Sequence, residues 1–146
     1  MKQLLFLFAV MAFTLSCSEN DPVKNTEEET GKGILQISCF YTTESNRNVQ
    51  IPDAQSKVFI YYGYYSLDFA GFSYQEEGKL IKGDAIVFPD QNAVIEADGK
   101  AVIQLEQVDK PFTFLVESNH YKRITLYSYS EWATKEKIVC TFIFYP

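Results

Sequence analysis

The C-terminal three quarters of this chain consist of short apolar runs, each ended by turn-forming residues. The first run, residues 34–41, alternates in polarity and places four of its side chains on one face: Leu35, Ile37, Cys39 and Tyr41. No stretch shows a convincing amphipathic helix, apart from a single helical turn at residues 130–137. The pattern predicts strands at residues 34–41, 57–62, 85–88, 93–96, 101–105, 112–117, 123–129 and 137–145.

The turns between these runs favour a sandwich. Asp98-Gly99 lies between two apolar runs and is a strong hairpin signal. Residues 42–50 are polar and are predicted to form a loop, whereas residues 63–83 are too rich in glycine and aromatic residues to assign. Aromatic residues make up 16% of the chain, which also favours strands over helices. We therefore expect an all-β fold, a single Ig-like antiparallel β-sandwich of about seven strands over residues 33–146.

The N-terminus has a different character. Met1-Lys2-Gln3 is followed by an apolar run, residues 4–15, of about a dozen residues, and then by Ser16-Cys17. A helix that crosses a bilayer needs about 20 such residues, so the run fits the apolar core of a signal peptide. Residues 1–16 are therefore predicted to be a signal peptide, and the alternative is a simple secretory signal with an incidental cysteine.

Ser16-Cys17 after this run resembles the lipobox of bacterial lipoproteins, and the looser form, with Thr14 where leucine is usual, resembles lipoproteins of the Bacteroides group. The resemblance implies cleavage before Cys17, a diacylglycerol on its sulfur and a fatty acid such as palmitate on the new N-terminus. It implies attachment to the outer membrane through this lipid. Stable anchoring requires at least two such chains.

Residues 17–32 contain one sizeable apolar residue, Val23, and a run of three glutamates, so we expect a lipidated cysteine followed by a flexible acidic tether. The acidic residues just after Cys17 resemble the signal that exports Bacteroides-group lipoproteins to the cell surface. We expect display at the surface rather than retention facing the periplasm.

Charge limits the partners of the chain. The formal net charge is −6, and no basic stripe is present. An acidic chain of this kind is a poor ligand for nucleic acid and for anionic lipid. Nucleic acid is therefore not an expected partner, and any membrane attachment must be covalent.

Three stretches of the sandwich region resemble the transthyretin-like, or carboxypeptidase-regulatory-like, domains of secreted and surface proteins. They are residues 51–60, which begin Ile-Pro-Asp-Ala, the hairpin at residues 97–103, and residues 114–122, where His120 stands at a position that is usually glycine. The resemblance implies a transthyretin-like sandwich. Such domains are accessory, structural or binding modules, and the fold alone assigns no reaction.

Two cysteines remain once Cys17 is set aside. Cys39 and Cys140 fall in the first and the last predicted strand, and both are expected to point inward. A disulfide between them is possible in an exported chain. The alternative is two buried free thiols at separate positions in the core.

The sequence contains no recognisable catalytic or metal-binding motif. His120 is the only histidine, so it would have to serve any Cys-His or Ser-His mechanism, and a surface role is expected for it instead. Glu76 and Glu77 are adjacent and would point to opposite faces of a strand, so they are not a simple catalytic pair. We expect no enzymatic activity, no metal site and no cofactor.

The most unusual stretch is residues 61–74, which carry more rings than one strand face can bury. Core packing is the first explanation of these rings, and a binding surface at a loop tip is the second. As a binding surface for a glycan or a protein, the predicted residues are Tyr62, Tyr64, Tyr65, Phe69, Phe72 and Tyr74. The expected function is thus a surface binding or adhesion module. The alternative is a structural or docking component of an envelope assembly that faces the periplasm.

Overall fold

The computed structural model describes residues 33–129 and 137–146. The predicted signal peptide, lipidated Cys17 and tether lie outside the described residues, as does the helical turn predicted at 130–137, apart from Lys137. The described strands are β1 (Ile34–Thr43), β2 (Asn46–Pro52), β3 (Lys57–Tyr62), β4 (Ser73–Tyr74), β5 (Leu80–Lys82), β6 (Ala85–Val87), β7 (Gln91–Val94), β8 (Lys100–Gln104), β9 (Phe112–Glu117), β10 (Ile124–Tyr129) and β11 (Lys137–Phe144). Two short 3₁₀ turns, Ser66–Phe69 and Glu76–Gly78, lie between β3 and β5.

The strands form three sheets. In the first sheet β1 is central, with β11 on one side and β2 and β8 along the other. The second sheet has the order β10-β9-β3-β7, and all its pairs are antiparallel. The third is a small antiparallel sheet of β4, β5 and β6.

The first two sheets enclose the main core. Alternate residues of β1, such as Leu35 and Ile37, point inward and are fully buried, as the alternating pattern predicts. They meet β3 and β9 of the second sheet, which contribute Ile60 and Phe114. The main core consists of Leu35, Ile37, Cys39, Val58, Ile60, Tyr62, Ile95, Ala101, Ile103, Leu105, Phe112, Phe114, Val116, Ile138 and Phe144. The chain is therefore an all-β sandwich, which confirms the predicted fold class.

The second sheet is buried on its other face as well. Phe59, Tyr61 and Leu115 point away from the main core and form a second cluster with Phe69 and Leu80. Five of the six residues in β3 and in β9 are consequently buried. Continuous apolar runs are typical of strands covered on both faces, and KVFIYY and FTFLVE are such runs, interrupted inside by Thr113 alone. The third sheet and the 3₁₀ turn Ser66–Phe69 supply the covering layer.

Three details of the predicted sandwich are wrong. The described residues contain eleven strands rather than about seven, in part because residues 63–83 add β4 and β5, which are too short to carry a local pattern. The polar segment predicted as a loop contains most of β2, an edge strand that needs no buried face of its own. The sandwich is also not wholly antiparallel, since β1 and β11 pair in parallel from Ile34 with Lys137 to Tyr41 with Phe144.

Gly78 lies directly against the Phe59 ring of the second cluster. The Tyr61 hydroxyl donates a hydrogen bond to the Gly78 carbonyl, which holds the 3₁₀ turn against β3. A Cβ atom at Gly78 would lie 2.6 Å from the Phe59 ring, and the backbone there has φ of +76°. Both the close approach and the backbone conformation require glycine.

We predict that Gly78→Ala lowers the free energy of unfolding by about 2–4 kcal/mol, because a methyl group must displace a buried ring and adopt a left-handed backbone. The matched control is Gly63→Ala, where φ is +80° but nothing lies within 4 Å of the added Cβ. This control should cost only about 1 kcal/mol. Urea unfolding of both variants measures the difference, and equal losses would contradict the packing of Gly78 on Phe59.

Candidate functional site

The aromatic stretch 61–74 divides into buried and exposed rings. Tyr62 and Phe69 are buried, at 6% and 4% exposure, so their prediction as ligand-binding residues is wrong. Phe72 and Tyr74 are half-buried against the second cluster. Tyr64 and Tyr65 are exposed. Core packing thus accounts for most of these rings, and two of the six predicted binding residues remain on the surface.

Tyr62 and Tyr74 are fixed by their hydroxyl groups. The Tyr62 hydroxyl donates to Gln91 Oε1 at 2.6 Å and accepts the Glu106 N–H at 2.8 Å, and burial raises its pKa. The Tyr74 hydroxyl donates to Glu117 Oε2 at 2.8 Å. Burial is the main cause that raises the pKa of Tyr74, and the hydrogen bond with Glu117 raises it further. Rings with satisfied hydroxyl groups serve the core rather than a ligand.

The exposed rings lie on a short loop together with an aliphatic residue that sequence reasoning did not select. Tyr64 is 37% exposed, Tyr65 is 46% exposed, and Leu67 is 84% exposed. We refer to residues 64–67 as the tyrosine loop. A leucine this exposed beside two exposed tyrosines forms an apolar surface with hydroxyl groups at its edges.

Hydrogen bonds from neighbouring strands hold the tyrosine loop in one conformation. The buried Thr113 hydroxyl donates to the Tyr64 carbonyl at 2.8 Å, and the Ser66 N–H donates to Ser128 Oγ. Asp68 caps the following 3₁₀ turn by accepting the Tyr65 N–H at 2.7 Å. Thr113 interrupts the apolar run of β9, which was the only sequence signal for this contact.

The buried ring of Phe69 packs against the tyrosine loop. Its ring packs at 5.1 Å from Tyr61 and at 5.1 Å from Tyr64, and Phe72 meets it edge-on at 5.8 Å. Phe69 therefore connects the exposed surface of Tyr64 to the second cluster. A ligand at the tyrosine loop would meet a surface that is already ordered.

The tyrosine loop lies at the end of the sandwich where the described chain begins. The Leu105 N–H donates to the Gly33 carbonyl at 2.7 Å, and the next residue, Glu106, donates to Tyr62. Gly63 in turn donates to the Pro111 carbonyl. Gly33, the first described residue, thus lies at the end of the sandwich that carries the tyrosine loop.

The three stretches that resemble transthyretin-like domains meet at the opposite end, around Asp53. Asp53 is 2% exposed; its carboxylate accepts the Ser118 hydroxyl at 2.5 Å and the His120 N–H at 3.1 Å. The Asp53 N–H donates to the Cys39 carbonyl, and the Cys39 N–H donates to the Gly99 carbonyl at 2.7 Å. We call this arrangement the Asp53 junction. It joins β1, the turn before β3, the turn before β8 and the turn after β9.

His120 lies on the surface beside this junction, where its exposed ring stacks on Tyr41. The backbone at His120 is not left-handed, so the turn does not require glycine at this position. The left-handed residue of this turn is Lys122, with φ of 54°. Sequence reasoning selected His120 alone and missed Tyr41, which lies far away in the chain.

Cys39 and Cys140 are free thiols in the structure. Both lie on the inner side, as predicted, but Cys39 pairs with Phe142 and Cys140 with Ile37. An offset of two residues between parallel neighbours places their Cα atoms about 8 Å apart, beyond the roughly 4.4–6.8 Å that a disulfide spans. Burial raises the pKa of the Cys39 thiol to about 11, opposed by a hydrogen bond with Ser56 and aided by the charge of Asp53. Burial also raises the pKa of Cys140.

Within residues 33–129 and 137–146, no three His, Cys, Asp or Glu side chains come together as a group that could hold a metal ion. Glu76 and Glu77, considered above as carboxylates, lie in a 3₁₀ turn, where Glu77 forms an exposed ion pair with Lys57 at 2.8 Å. In this same part of the chain, no helix has the length and apolar character needed to cross a bilayer.

Comparison with known proteins identifies no relative. No family model, no curated protein and no solved structure matches the chain. The geometry of the tyrosine loop and of the Asp53 junction therefore carries the functional interpretation.

We predict that Asp53→Ala lowers the free energy of unfolding by about 2–4 kcal/mol, because Ser118 and His120 lose a charged acceptor in a buried place. Thermal or urea unfolding measures this loss. The control is Asp109→Ala, an exposed aspartate in the loop before β9, which should change stability by no more than about 0.5 kcal/mol. A similar small effect of Asp53→Ala would show that the junction does not hold the turns together.

Proposed function

We propose that this chain is a non-enzymatic binding protein of the bacterial cell envelope, anchored in the outer membrane by lipid on Cys17. In this proposal the β-sandwich binds a glycan or a protein at the cell surface through the tyrosine loop. The observation that carries the proposal is a fixed loop that displays Tyr64, Tyr65 and Leu67 to solvent. Stable folding does not require such side chains to be exposed.

The chemistry of the loop suits recognition of either class of ligand. Tyrosine rings can stack on the apolar faces of sugars, and tyrosine is also enriched at the centres of protein interfaces. The rings are ordered by Thr113, Asp68 and Phe69 before any ligand arrives. Preordering lowers the entropy that binding must overcome, so a small apolar surface can bind usefully.

The N-terminal sequence supports the anchor. The apolar run 4–15 followed by Ser16-Cys17 resembles a lipoprotein signal, and the acidic residues after Cys17 resemble a surface-export signal. An extended tether over residues 17–32 would reach at most about 55 Å, enough to hold the domain clear of the bilayer. The domain itself is proposed to be transthyretin-like, because the three stretches that carry the resemblance meet at the Asp53 junction.

One observation favours the second candidate function, a docking component of an envelope assembly that faces the periplasm. The tyrosine loop lies at the same end as Gly33, where the tether enters the domain. A short or taut tether would direct this loop toward the membrane, so its partner would be another protein of that membrane.

Photo-cross-linking in the cells that produce the protein tests the binding role of the loop. With benzoylphenylalanine in place of Tyr65, we expect a cross-linked adduct that is discrete for a protein and diffuse for a glycan. The matched position is Val102, which is 69% exposed on the outer face of β8 and should give no adduct. Equal labelling at both positions, or none at position 65, would contradict the proposal.

Leu67→Ser should reduce cross-linking from position 65 by about tenfold, because Leu67 is the most exposed apolar side chain of the loop. It should change the free energy of unfolding by no more than about 0.5 kcal/mol. Phe69→Ser should instead lower stability by about 3–5 kcal/mol, since Phe69 is a buried anchor. Loss of stability in the Leu67 variant would assign Leu67 a structural role.

A further inference from the structure

A second surface of unusual composition lies at the end of the sandwich opposite Gly33. His120 stacks on Tyr41 with ring centroids 3.8 Å apart and an angle of 10° between the planes. Tyr121 meets both rings edge-on, at 4.6 Å from His120 and 6.2 Å from Tyr41. Lys122 and Arg123 follow directly in the chain. We call these five residues the distal platform.

Core packing does not account for the His120 ring. His120 is exposed even though Tyr41 covers one of its faces, whereas Tyr121 packs against the main core. The Tyr121 hydroxyl is satisfied by the Thr42 carbonyl at 2.5 Å. Tyr41 thus covers one face of the His120 ring and Tyr121 lies beside it, which leaves the other face of His120 to solvent.

Arg123 lies beside one of these rings, and Lys122 is held on the same turn. The Arg123 guanidinium lies 5.5 Å from the centre of the Tyr121 ring and donates one hydrogen bond to the Tyr145 carbonyl at 2.8 Å. Lys122 donates to Asn119 Oδ1 at 2.9 Å. A guanidinium has five N–H groups in a planar fork, so an exposed Arg123 keeps donors for a carboxylate. Among the described residues Lys122 and Arg123 form no ion pair, and the Asp53 carboxylate on the same turn is bonded to Ser118 and His120.

The backbone under the platform is fixed by the Asp53 junction. The His120 N–H donates to Asp53, the Asn119 N–H donates to Ser56 Oγ, and the Tyr121 N–H donates to Ser118 Oγ. The Lys122 N–H closes the turn on the Ser118 carbonyl. A ligand would therefore find the rings and cations in place and would not have to order them.

The outer face of the His120 ring suits the apolar face of a sugar, and the adjoining cations suit a carboxylate. A neutral sugar would not use Lys122 and Arg123. A nucleic acid would need many more phosphate contacts than two cations on a chain of net charge −6 can supply. We propose that the distal platform binds an anionic carbohydrate, with a uronic-acid ring on the outer face of His120, which Tyr41 supports from behind, and its carboxylate on Arg123 and Lys122. This site uses none of the residues of the tyrosine loop, so it goes beyond the function proposed above.

Calorimetric titration of the full-length chain in a nonionic polyoxyethylene detergent tests the proposal, with tetragalacturonate as the probe. We expect saturable binding that weakens as salt is raised, since part of the affinity is electrostatic. The neutral tetrasaccharide of galactose should bind at least about tenfold more weakly, because it lacks the carboxylates. Equal binding of the two sugars, or no saturation up to about 10 mM tetragalacturonate, would overturn the proposal.

Variants assign the binding to these residues. Arg123→Gln and His120→Ala should each weaken tetragalacturonate binding by about tenfold, the first through the carboxylate and the second through the ring stack. Near-ultraviolet circular dichroism checks that both variants keep the native packing. The charge-matched control is Lys137→Gln, at the Gly33 end of the sandwich, which should bind as the unchanged chain does. Equal weakening by Lys137→Gln would reduce the effect to net charge and overturn the assignment.

The binding proposals for the tyrosine loop and for the distal platform can be tested independently of each other. Tyr65→Ser should leave tetragalacturonate binding unchanged, because Tyr65 lies at the other end of the domain. If Tyr65→Ser abolishes this binding while His120→Ala does not, the sugar binds at the tyrosine loop and the distal platform is not its site. Tight binding of a single-stranded oligonucleotide in place of the sugar would also overturn the proposal.

Discussion

Burial of the second sheet on both faces is the constraint on which the rest of the structure depends. β3 and β9 consist almost entirely of large apolar side chains, so neither face of this sheet can be left to water. The first sheet covers one face and closes the main core. The third sheet and the 3₁₀ turn at Phe69 cover the other, and their position is set by what they must cover: Phe59, Tyr61 and Leu115. Burial of Tyr61 also requires an acceptor for its hydroxyl, which Gly78 provides.

This arrangement produces two ends with different properties. At the Gly33 end, the covering layer leaves the tyrosine loop outside, held by Phe69 beneath it and by Thr113 at its side. At the far end, the Asp53 junction ties separate turns together and holds the rings of the distal platform. Exposed apolar and aromatic side chains on a fixed frame are typical of recognition surfaces. If the lipid anchor is present, the tyrosine loop lies at the end where the tether is attached, and the distal platform lies at the other end.

The sequence predicted the parts of the fold that depend on local pattern. The alternation in β1 corresponds to the observed strand, and Asp98-Gly99 forms the predicted turn before β8. The predicted hairpin is wrong, because this turn joins β7 of the second sheet to β8 of the first and the two strands do not pair. β2 was missed because almost all of its side chains are exposed, so its sequence shows no alternation of apolar and polar residues. Strands of two or three residues, such as β4 and β5, are too short for any period to be visible. The parallel pairing of β1 with β11 joins segments far apart in the chain, and no local pattern encodes it.

The candidate sites were predictable only in part, for a related reason. Composition identified residues 61–74 as unusual, yet which rings are buried depends on the third sheet, which was not predicted. Tyr62 and Phe69 therefore look like Tyr64 and Tyr65 in the sequence, although the first pair is buried and the second is exposed. The distal platform combines Tyr41 with a turn some eighty residues later. Its only local sign was the lone histidine followed by a tyrosine and two cations.

The central functional claim is that a lipid on Cys17 holds this domain at the membrane, and the mass of the intact chain extracted from membranes tests it most directly. The account predicts a mature chain that begins at Cys17 and carries the added mass of a diacylglycerol and an amide-linked fatty acid. A chain of unmodified mass, or one that begins at another residue, would contradict the anchor. The tyrosine loop and the distal platform would then have to be interpreted on a protein that is free of the membrane.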